Sequence, residues 1–244
     1  MDGGVALFNY AFKLVLLPAM LLQTIIQMLL LPWFSKLRHA EGAVAPYALT
    51  LRISWIVGWT LCLALSWSGA SLAALCFGYG QMTASDVAQV GYLFSIGVWA
   101  VLPTVLAGVW QQMLYAHEHI GAVLRVSILQ AVLVMPFAFS GYALGGLSGV
   151  MIAYGMITGL PVVLLIREGV RCGMTKGYMP SSTYALMTLV ATFVFLLLAC
   201  MMQMWVPHDF TVLVLIGIIG LVSLIAGLLV CHPVRTWVMQ RVRL

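Results

Sequence analysis

The chain has 244 residues, of which 64% are hydrophobic and only 7% are charged, and its mean hydropathy is +1.10. Soluble domains carry about 25% charged residues, so the eleven basic and six acidic residues of this chain could not cover a globule of its size with polar surface. This composition excludes a water-soluble domain. It predicts an all-α polytopic membrane protein, because a helix satisfies its own backbone hydrogen bonds in lipid.

Seven apolar stretches are long enough to cross the bilayer as helices, which takes about 20 residues each. We treat them as one transmembrane helical domain spanning residues 1–244. Gly155 and Gly159 form a small-xxx-small pair in the fifth stretch, which predicts close packing against another helix. The predicted spans are residues 6–34, 47–78, 88–115, 123–142, 146–166, 182–206 and 210–231.

The basic residues fall on one side of the predicted membrane. The gaps on the other side hold no Lys or Arg, and acidic residues occur there instead. Because cytoplasmic loops are enriched in Lys and Arg, we predict an outside N-terminus and a cytoplasmic C-terminus. The residues that hold or flank the cytoplasmic gaps and tail are Lys36, Arg38, Arg52, Arg125, Arg167, Arg171, Lys176, Arg235, Arg241 and Arg243, and the acids opposite are Asp2, Asp86 and Asp209.

The start of the chain lacks the basic segment, short apolar segment and cleavage site that would translocate an outside N-terminus. We therefore expect a further span before Met1. In that case the chain is the C-terminal part of a longer transporter, or one half of a split one.

A stripe of polar residues runs along one face of the first span. At 100° per residue, Asn9, Lys13, Gln23, Thr24 and Gln27 point to the same side. Such a stripe normally faces protein or a water-filled cavity. Lys13 lies about 10 Å below the outer boundary, where its ammonium could reach the lipid headgroups or act as a cavity cation that attracts an anionic substrate. The aligned amides favour the second interpretation, and we predict a substrate-binding cavity.

Further polar residues lie near the ends of the second and third spans. Arg52 is interpreted first as a positive-inside anchor, with a phosphate contact at the inner mouth as the alternative. Thr104, Gln111 and Gln112 are expected to form interhelical hydrogen bonds rather than to contact substrate.

The sequence contains no recognisable catalytic constellation. All acidic residues lie in predicted loops, which leaves no buried carboxylate for acid–base chemistry. His117 and His119 flank Glu118 without a further predicted metal ligand. The five cysteines occur singly, without a CxxC pair, and we expect them to be buried. We therefore predict that the chain is not an enzyme, binds no metal or cofactor, and, lacking a basic run with interleaved aromatics, binds no nucleic acid.

Five segments in a fixed order resemble conserved patterns of one transporter family. That family, the lipid II flippases called MurJ or MviN, belongs to the multidrug/oligosaccharidyl-lipid/polysaccharide exporter superfamily. Its patterns are A-D-R-L-x-x-x-P, LLPxLS, F-G-x-G-x-F-T-x-x-D, FYA and G-x-x-G-L-A-x-A. The similar segments here are residues 11–14 (AFKL) followed by Pro18, residues 30–35 (LLPWFS), residues 77–86 (FGYGQMTASD), residues 114–116 (LYA) and residues 146–149 (GLSG).

The resemblance covers nearly the whole chain as helices eight to fourteen, the C-terminal lobe of a MATE-like flippase. It implies a two-lobe alternating-access transporter that moves lipid II, the undecaprenyl-pyrophosphate-linked peptidoglycan precursor, across the bacterial inner membrane for cell-wall synthesis and cell shape. Lys13 stands where the family has an arginine that lines its cationic cavity, and Arg52 falls near another family arginine. The implied partners are the lipid-linked glycan, membrane lipids and an N-terminal lobe on a separate or missing chain.

The chain departs from the family pattern at three places. Phe12 stands where the family has Asp, and Leu16 stands where some members have an acid. Residues 117–122 (HEHIGA) replace a charged, proline-containing turn. Two alternatives to lipid II transport therefore stay open. One is export of another lipid-linked oligosaccharide or polysaccharide repeat unit, and the other is a non-transporting truncated remnant.

Overall fold

The computed structural model describes residues 4–37, 44–79 and 81–172, and every regular element in these ranges is helical. The prediction of an all-α polytopic membrane protein is confirmed, because four helical segments of this part are long and apolar enough to cross a membrane. The predicted spans 182–206 and 210–231 lie outside the described residues. The elements are α1 (Gly4–Leu37), α2 (Val44–Trp67), α3 (Gly69–Phe77), α4 (Ala84–Gly97), a 3₁₀ turn (Val98–Ala100), α5 (Val101–Ala116) and α6 (Ile120–Arg171).

Helix α6 is a hairpin of two antiparallel arms. Its 52 residues are more than twice the length that one crossing needs. The helical path is interrupted at Gly145 and at Gly146, whose φ of 58° lies in the left-handed region that glycine adopts without strain. Near the turn Gly141 packs directly against Gly149, and at the far end Arg125 pairs with Glu168 at 2.9 Å. The arms coincide with the fourth and fifth predicted spans.

The predicted span 47–78 is wrong as a single helix, because the structure divides it at Ser68 into α2 and α3. Helix α3 lies closely against α4 where two glycines meet. A Cβ atom on Gly69 would lie 2.9 Å from the carbonyl oxygen of Gly91, so only residues without a side chain allow this approach. Hydropathy cannot detect such a break, because α2 and α3 are equally apolar.

The turn before α4 is closed by a reciprocal pair of hydrogen bonds. The backbone N–H of Thr83 donates to the Asp86 carboxylate at 3.2 Å, and the N–H of Asp86 donates to Thr83 Oγ1 at 3.3 Å. This capping box satisfies backbone donors that a helix N-terminus leaves unpaired. It gives a structural reason for the T-x-x-D spacing at the end of the segment 77–86.

Helix α5 is the centre of the bundle and packs against α1, α2 and α6. Its side chains Val101, Val109, Met113 and Leu114 are fully buried. A second apolar cluster lies at the start of α1, where Ala11 packs with residues of α4 and α6. Helix α1 therefore packs against the rest of the described bundle through one of its sides along most of its length.

Apart from Lys13, the basic residues of the described part lie toward one end of the bundle. There the Phe34 and Tyr47 rings meet at 4.9 Å, and the Tyr47 ring lies 5.6 Å from His117. These contacts join the end of α1, the start of α2 and the turn before α6. Asp86 lies at the opposite end, near the contact between Tyr10 and Phe77. The predicted orientation places the basic end in the cytoplasm, and it stays a prediction.

Of two expectations about small residues, the one for the cysteines is wrong in part, and the one for Gly155 and Gly159 stays a prediction. Cys62 is buried as expected, but Cys76 is exposed and Cys172 is half-exposed, because α3 and the end of α6 leave those positions uncovered. Gly155 and Gly159 contact no neighbouring helix among the described residues, since a Cβ atom on either would meet nothing within 4 Å. The close packing in α6 is made instead by the pair of glycines that flank its turn.

Candidate functional site

Helix α1 has a packed side and an open side. Ala11, Val15 and Ala19 recur every four residues and are buried, and α1 packs mainly against α4 and α5. On the other side Lys13 and Gln27 are exposed. The helical spacing thus places these two members of the predicted stripe away from the packed side.

The members of the stripe differ in their surroundings. Asn9, Lys13, Thr24 and Gln27 are exposed to the outside of the bundle, whereas Gln23 is half-buried. The Thr24 hydroxyl donates to the carbonyl oxygen of Met20 in its own helix at 2.9 Å. The charged member of the stripe, Lys13, is therefore exposed, whereas the Gln23 amide lies partly inside the bundle.

Lys13 and its neighbour Phe12 point in different directions. The Phe12 ring meets the Tyr154 ring of α6 edge-on at 5.0 Å and stacks with Phe8 at 5.8 Å. Lys13 lies about 14 Å along α1 from Gly4, at 1.5 Å per residue, and is exposed. The residue that replaces the family's acid is thus part of the packing, while the cation stays on the open side.

Gln23 reaches a cavity between α1, α5 and α6, which we name the amide cavity. Its volume is about 220 Å³. A Cβ atom on Gly108 of α5 would lie 3.2 Å from Gln23 Oε1, so the absent side chain at Gly108 makes room for this amide. Gln23 Oε1 is buried and accepts no hydrogen bond from the described residues. The amide cavity is lined by Leu16, Ala19, Met20, Gln23, Thr104, Ala107, Gln111, Gln130, Tyr154, Thr158 and Pro161.

Thr104 and Gln111 face this cavity, contrary to their expected role as interhelical contacts. The Thr104 hydroxyl donates to the Ala100 carbonyl of its own helix at 2.7 Å, so its proton is not available to another helix. Gln112 is buried and does not line the cavity.

Three lining residues from α6 are absent from the sequence prediction: Gln130, Tyr154 and Thr158. Gln130 carries a detectable signal, because it is an isolated amide within the apolar stretch that forms the first arm. Tyr154 and Thr158 lie one helical turn apart on the second arm. No sequence pattern at these positions distinguishes a residue that lines a cavity from one that packs against a neighbouring helix. Only the fold of the hairpin brings both arms to α1.

Arg52 lies far from Lys13. It is half-buried on α2, five residues after Tyr47, which contacts Phe34 near the end of α1. Phe34 is about 30 Å along α1 from Lys13, at 1.5 Å per residue. The structure therefore does not bring the two predicted cations together, and a role for Arg52 in binding substrate stays a prediction.

His117, in the turn before α6, contacts the last turn of α5. His117 Nδ1 lies 2.9 Å from the Met113 carbonyl oxygen. Within residues 4–37, 44–79 and 81–172, no group of three or more His, Cys, Asp or Glu side chains is arranged to hold a metal ion.

The comparison with protein families assigns the chain to one family. Residues 1–219 match the family described as lipid II flippase MurJ. The chain belongs to the MurJ family. The resemblance seen in its motifs is thereby confirmed, and the chain is a multi-pass membrane protein of a flippase type. MurJ proteins are transporters rather than enzymes. A search of curated proteins finds no match to the chain.

Proposed function

We propose that the chain flips lipid II across the bacterial inner membrane, as one lobe of an alternating-access transporter. Membership of the MurJ family is the observation that carries this proposal. Alternating access requires two halves that move against each other around a central site. We therefore also propose that residues 1–244 form a single transmembrane domain, with the C-terminus in the cytoplasm, and that an N-terminal lobe completes the transporter.

In this proposal Lys13 binds the pyrophosphate of the substrate. A polar headgroup needs an electropositive, hydrated path, whereas its lipid tail can stay in the bilayer. Lys13 is exposed on the open side of α1, and Asn9 and Gln27 lie on the same side. The ammonium group offers three donors and a point charge for phosphate, without the bidentate geometry of arginine.

Complementation tests the proposal. The full chain, alone and together with a partner lobe, would be expressed in cells depleted of their own lipid II flippase, and lipid II exposed at the outer face would be measured. We expect export that Lys13→Ala abolishes and Lys13→Arg preserves. The matched control is Lys36→Ala, which removes an exposed lysine at the other end of α1 and should leave export intact. Full export by Lys13→Ala would refute the role of Lys13.

Export of another lipid-linked glycan is the second candidate. The observation that favours it is Phe12, which packs against Tyr154 at a position where the family pattern has an acid. The same cells distinguish the candidates, because a transporter of a different glycan would not expose lipid II although the chain is present in the membrane. That result, obtained with the partner lobe also present, would equally suit a non-transporting remnant.

A further inference from the structure

Among the described residues, the amide cavity offers many hydrogen-bonding groups and no charge. Three glutamines, two threonines and one tyrosine contribute its polar lining, and the described part of that lining includes no Asp, Glu, Lys, Arg or His. An anion placed there would lose part of its hydration without meeting a countercharge from these residues, which is unfavourable. The cavity is therefore suited to a neutral polar group.

The lining also has a surplus of acceptors. The hydroxyl of Thr158 donates to its own helix at the Tyr154 and Gly155 carbonyls, at 3.0 and 2.9 Å, and Thr104 does the same at Ala100. Their oxygens are left with lone pairs to accept hydrogen bonds. Together with the side-chain amides of Gln111 and Gln130, which also line the cavity, they favour a ligand that is rich in hydroxyl or amide groups.

The size of the cavity restricts what it can hold. Its volume of about 220 Å³ is below the range of about 300–1,000 Å³ that is typical of sites enclosing a whole small molecule. It corresponds to about seven water molecules at about 30 Å³ each. This suits one ring-sized fragment of a larger ligand.

The position of the cavity connects it to the open side of α1. Leu16, Met20 and Gln23 form its wall on that helix, and they lie on the same helical face as Lys13 and Gln27. Lys13 precedes Leu16 by three residues, or about 4.5 Å along the helix axis. The cation and the neutral cavity are therefore successive features of one surface.

We propose that the amide cavity is a subsite for one neutral sugar ring of the lipid-linked substrate, next to the phosphate that Lys13 binds. This inference rests on the flippase function proposed above. The phosphate is held by charge, whereas the sugar is recognised by hydrogen bonds to glutamine and threonine side chains. Recognition of the sugar by a neutral site rejects a substrate that lacks the donors, because the buried acceptors then stay unpaired.

The test compares two lipids that share the polyprenyl chain and the pyrophosphate. The purified full chain in lipid nanodiscs would be titrated with lipid II and with undecaprenyl pyrophosphate, which carries no sugar. We expect Gln111→Leu and Gln130→Leu each to weaken binding of lipid II about tenfold, equivalent to about 1.4 kcal/mol, and to leave binding of undecaprenyl pyrophosphate unchanged. Thr158→Val, which keeps the side-chain shape, should act in the same direction.

The matched control is Gln89→Leu, the same substitution at an exposed position of α4 that does not line the cavity. It should leave the affinity for both lipids unchanged. Retained binding of undecaprenyl pyrophosphate also shows that each variant is folded.

Two outcomes would overturn the subsite alone: lipid II affinity equal to that of the unaltered chain in all three cavity variants, or equal losses for both lipids. If the unaltered chain bound neither lipid even when reconstituted with its partner lobe, the flippase proposal itself would fail, and the subsite with it.

Discussion

The two sides of α1 show how one membrane helix separates packing from chemistry. On the packed side, short residues such as Ala11 and Ala19 are buried, and their size lets α4 and α5 approach closely. On the open side, Lys13 and Gln27 are exposed in a helix that is otherwise apolar. In lipid there is little hydrophobic gain from helix association, so close packing of small residues holds helices together.

The contrast teaches that stability and transport can be altered separately on the same helix. A change on the packed side should affect folding first, because it disturbs contacts with two neighbours. A change on the open side should affect binding and export of the substrate first, because its residues make few contacts within the described bundle.

Charge reversal at Lys13 should have the largest effect. Lys13→Glu would place an anion where we propose that pyrophosphate binds, so we expect export of lipid II to be lost. The thermal stability of the chain should change by less than about 0.5 kcal/mol, as for most exposed substitutions. Export assays and thermal unfolding in detergent measure the two quantities. An unfolded variant would show that residues on the open side also make packing contacts that stabilise the fold.

The same contrast occurs between two glycine pairs of α6. A Cβ atom on Gly149 would overlap the Gly141 backbone of the other arm, whereas one on Gly155 would meet no described residue within 4 Å. We expect Gly149→Ala to destabilise the chain by about 1–3 kcal/mol, because the arms must separate. Gly155→Ala should be neutral or stabilising by up to about 1 kcal/mol, since alanine favours the helix. Thermal unfolding of both variants is the measurement, and equal stabilities would contradict the hairpin contact.

Enlarging a residue on the packed side of α1 should cost stability without removing the cation. Ala11 is fully buried, so Ala11→Leu is expected to lower the free energy of unfolding by about 1–2 kcal/mol through overpacking. The matched control is Ala6→Leu, the same change at an exposed position of the same helix. A similar loss in both variants would mean that α1 is not held by one side alone.

Gln27 should give the smallest effect. It is exposed on the open side, and one polar contact between membrane helices or to a ligand is worth about 0.6 kcal/mol. Gln27→Leu is therefore expected to slow export about threefold and to leave thermal stability unchanged. Quantitative export rates at equal expression provide the measurement. A loss as large as that of Lys13→Glu would show that the amide is as important as the charge.

Much of the fold can be predicted from hydropathy and charge, because the membrane imposes segment length directly. The first, third, fourth and fifth predicted spans correspond to α1, the continuous stretch from α4 to α5, and the arms of α6. The polar stripe is also predictable, since helical periodicity alone places Lys13 and Gln27 on one side. The division at Ser68 is not, because it depends on a glycine contact with α4 rather than on a change in hydropathy.

The amide cavity shows where prediction from sequence stops. Gln23, Thr104 and Gln111 are recognisable as polar residues in apolar spans, but the choice between a cavity and interhelical hydrogen bonding depends on neighbouring helices. The packing partner expected for Gly155 and Gly159 stays a prediction in the same way, because no described residue lies within 4 Å of a Cβ atom placed on either glycine. Tertiary neighbours, rather than local pattern, decide the role of each of these residues.

The two-residue turn of α6 also constrains how the protein is made. Gly145 and Gly146 are the only non-helical residues between the two arms, so no free segment separates one arm from the other during synthesis. The two arms therefore stay close together from the moment the second one is synthesised, and the turn leaves little external loop for a protease or an antibody to reach.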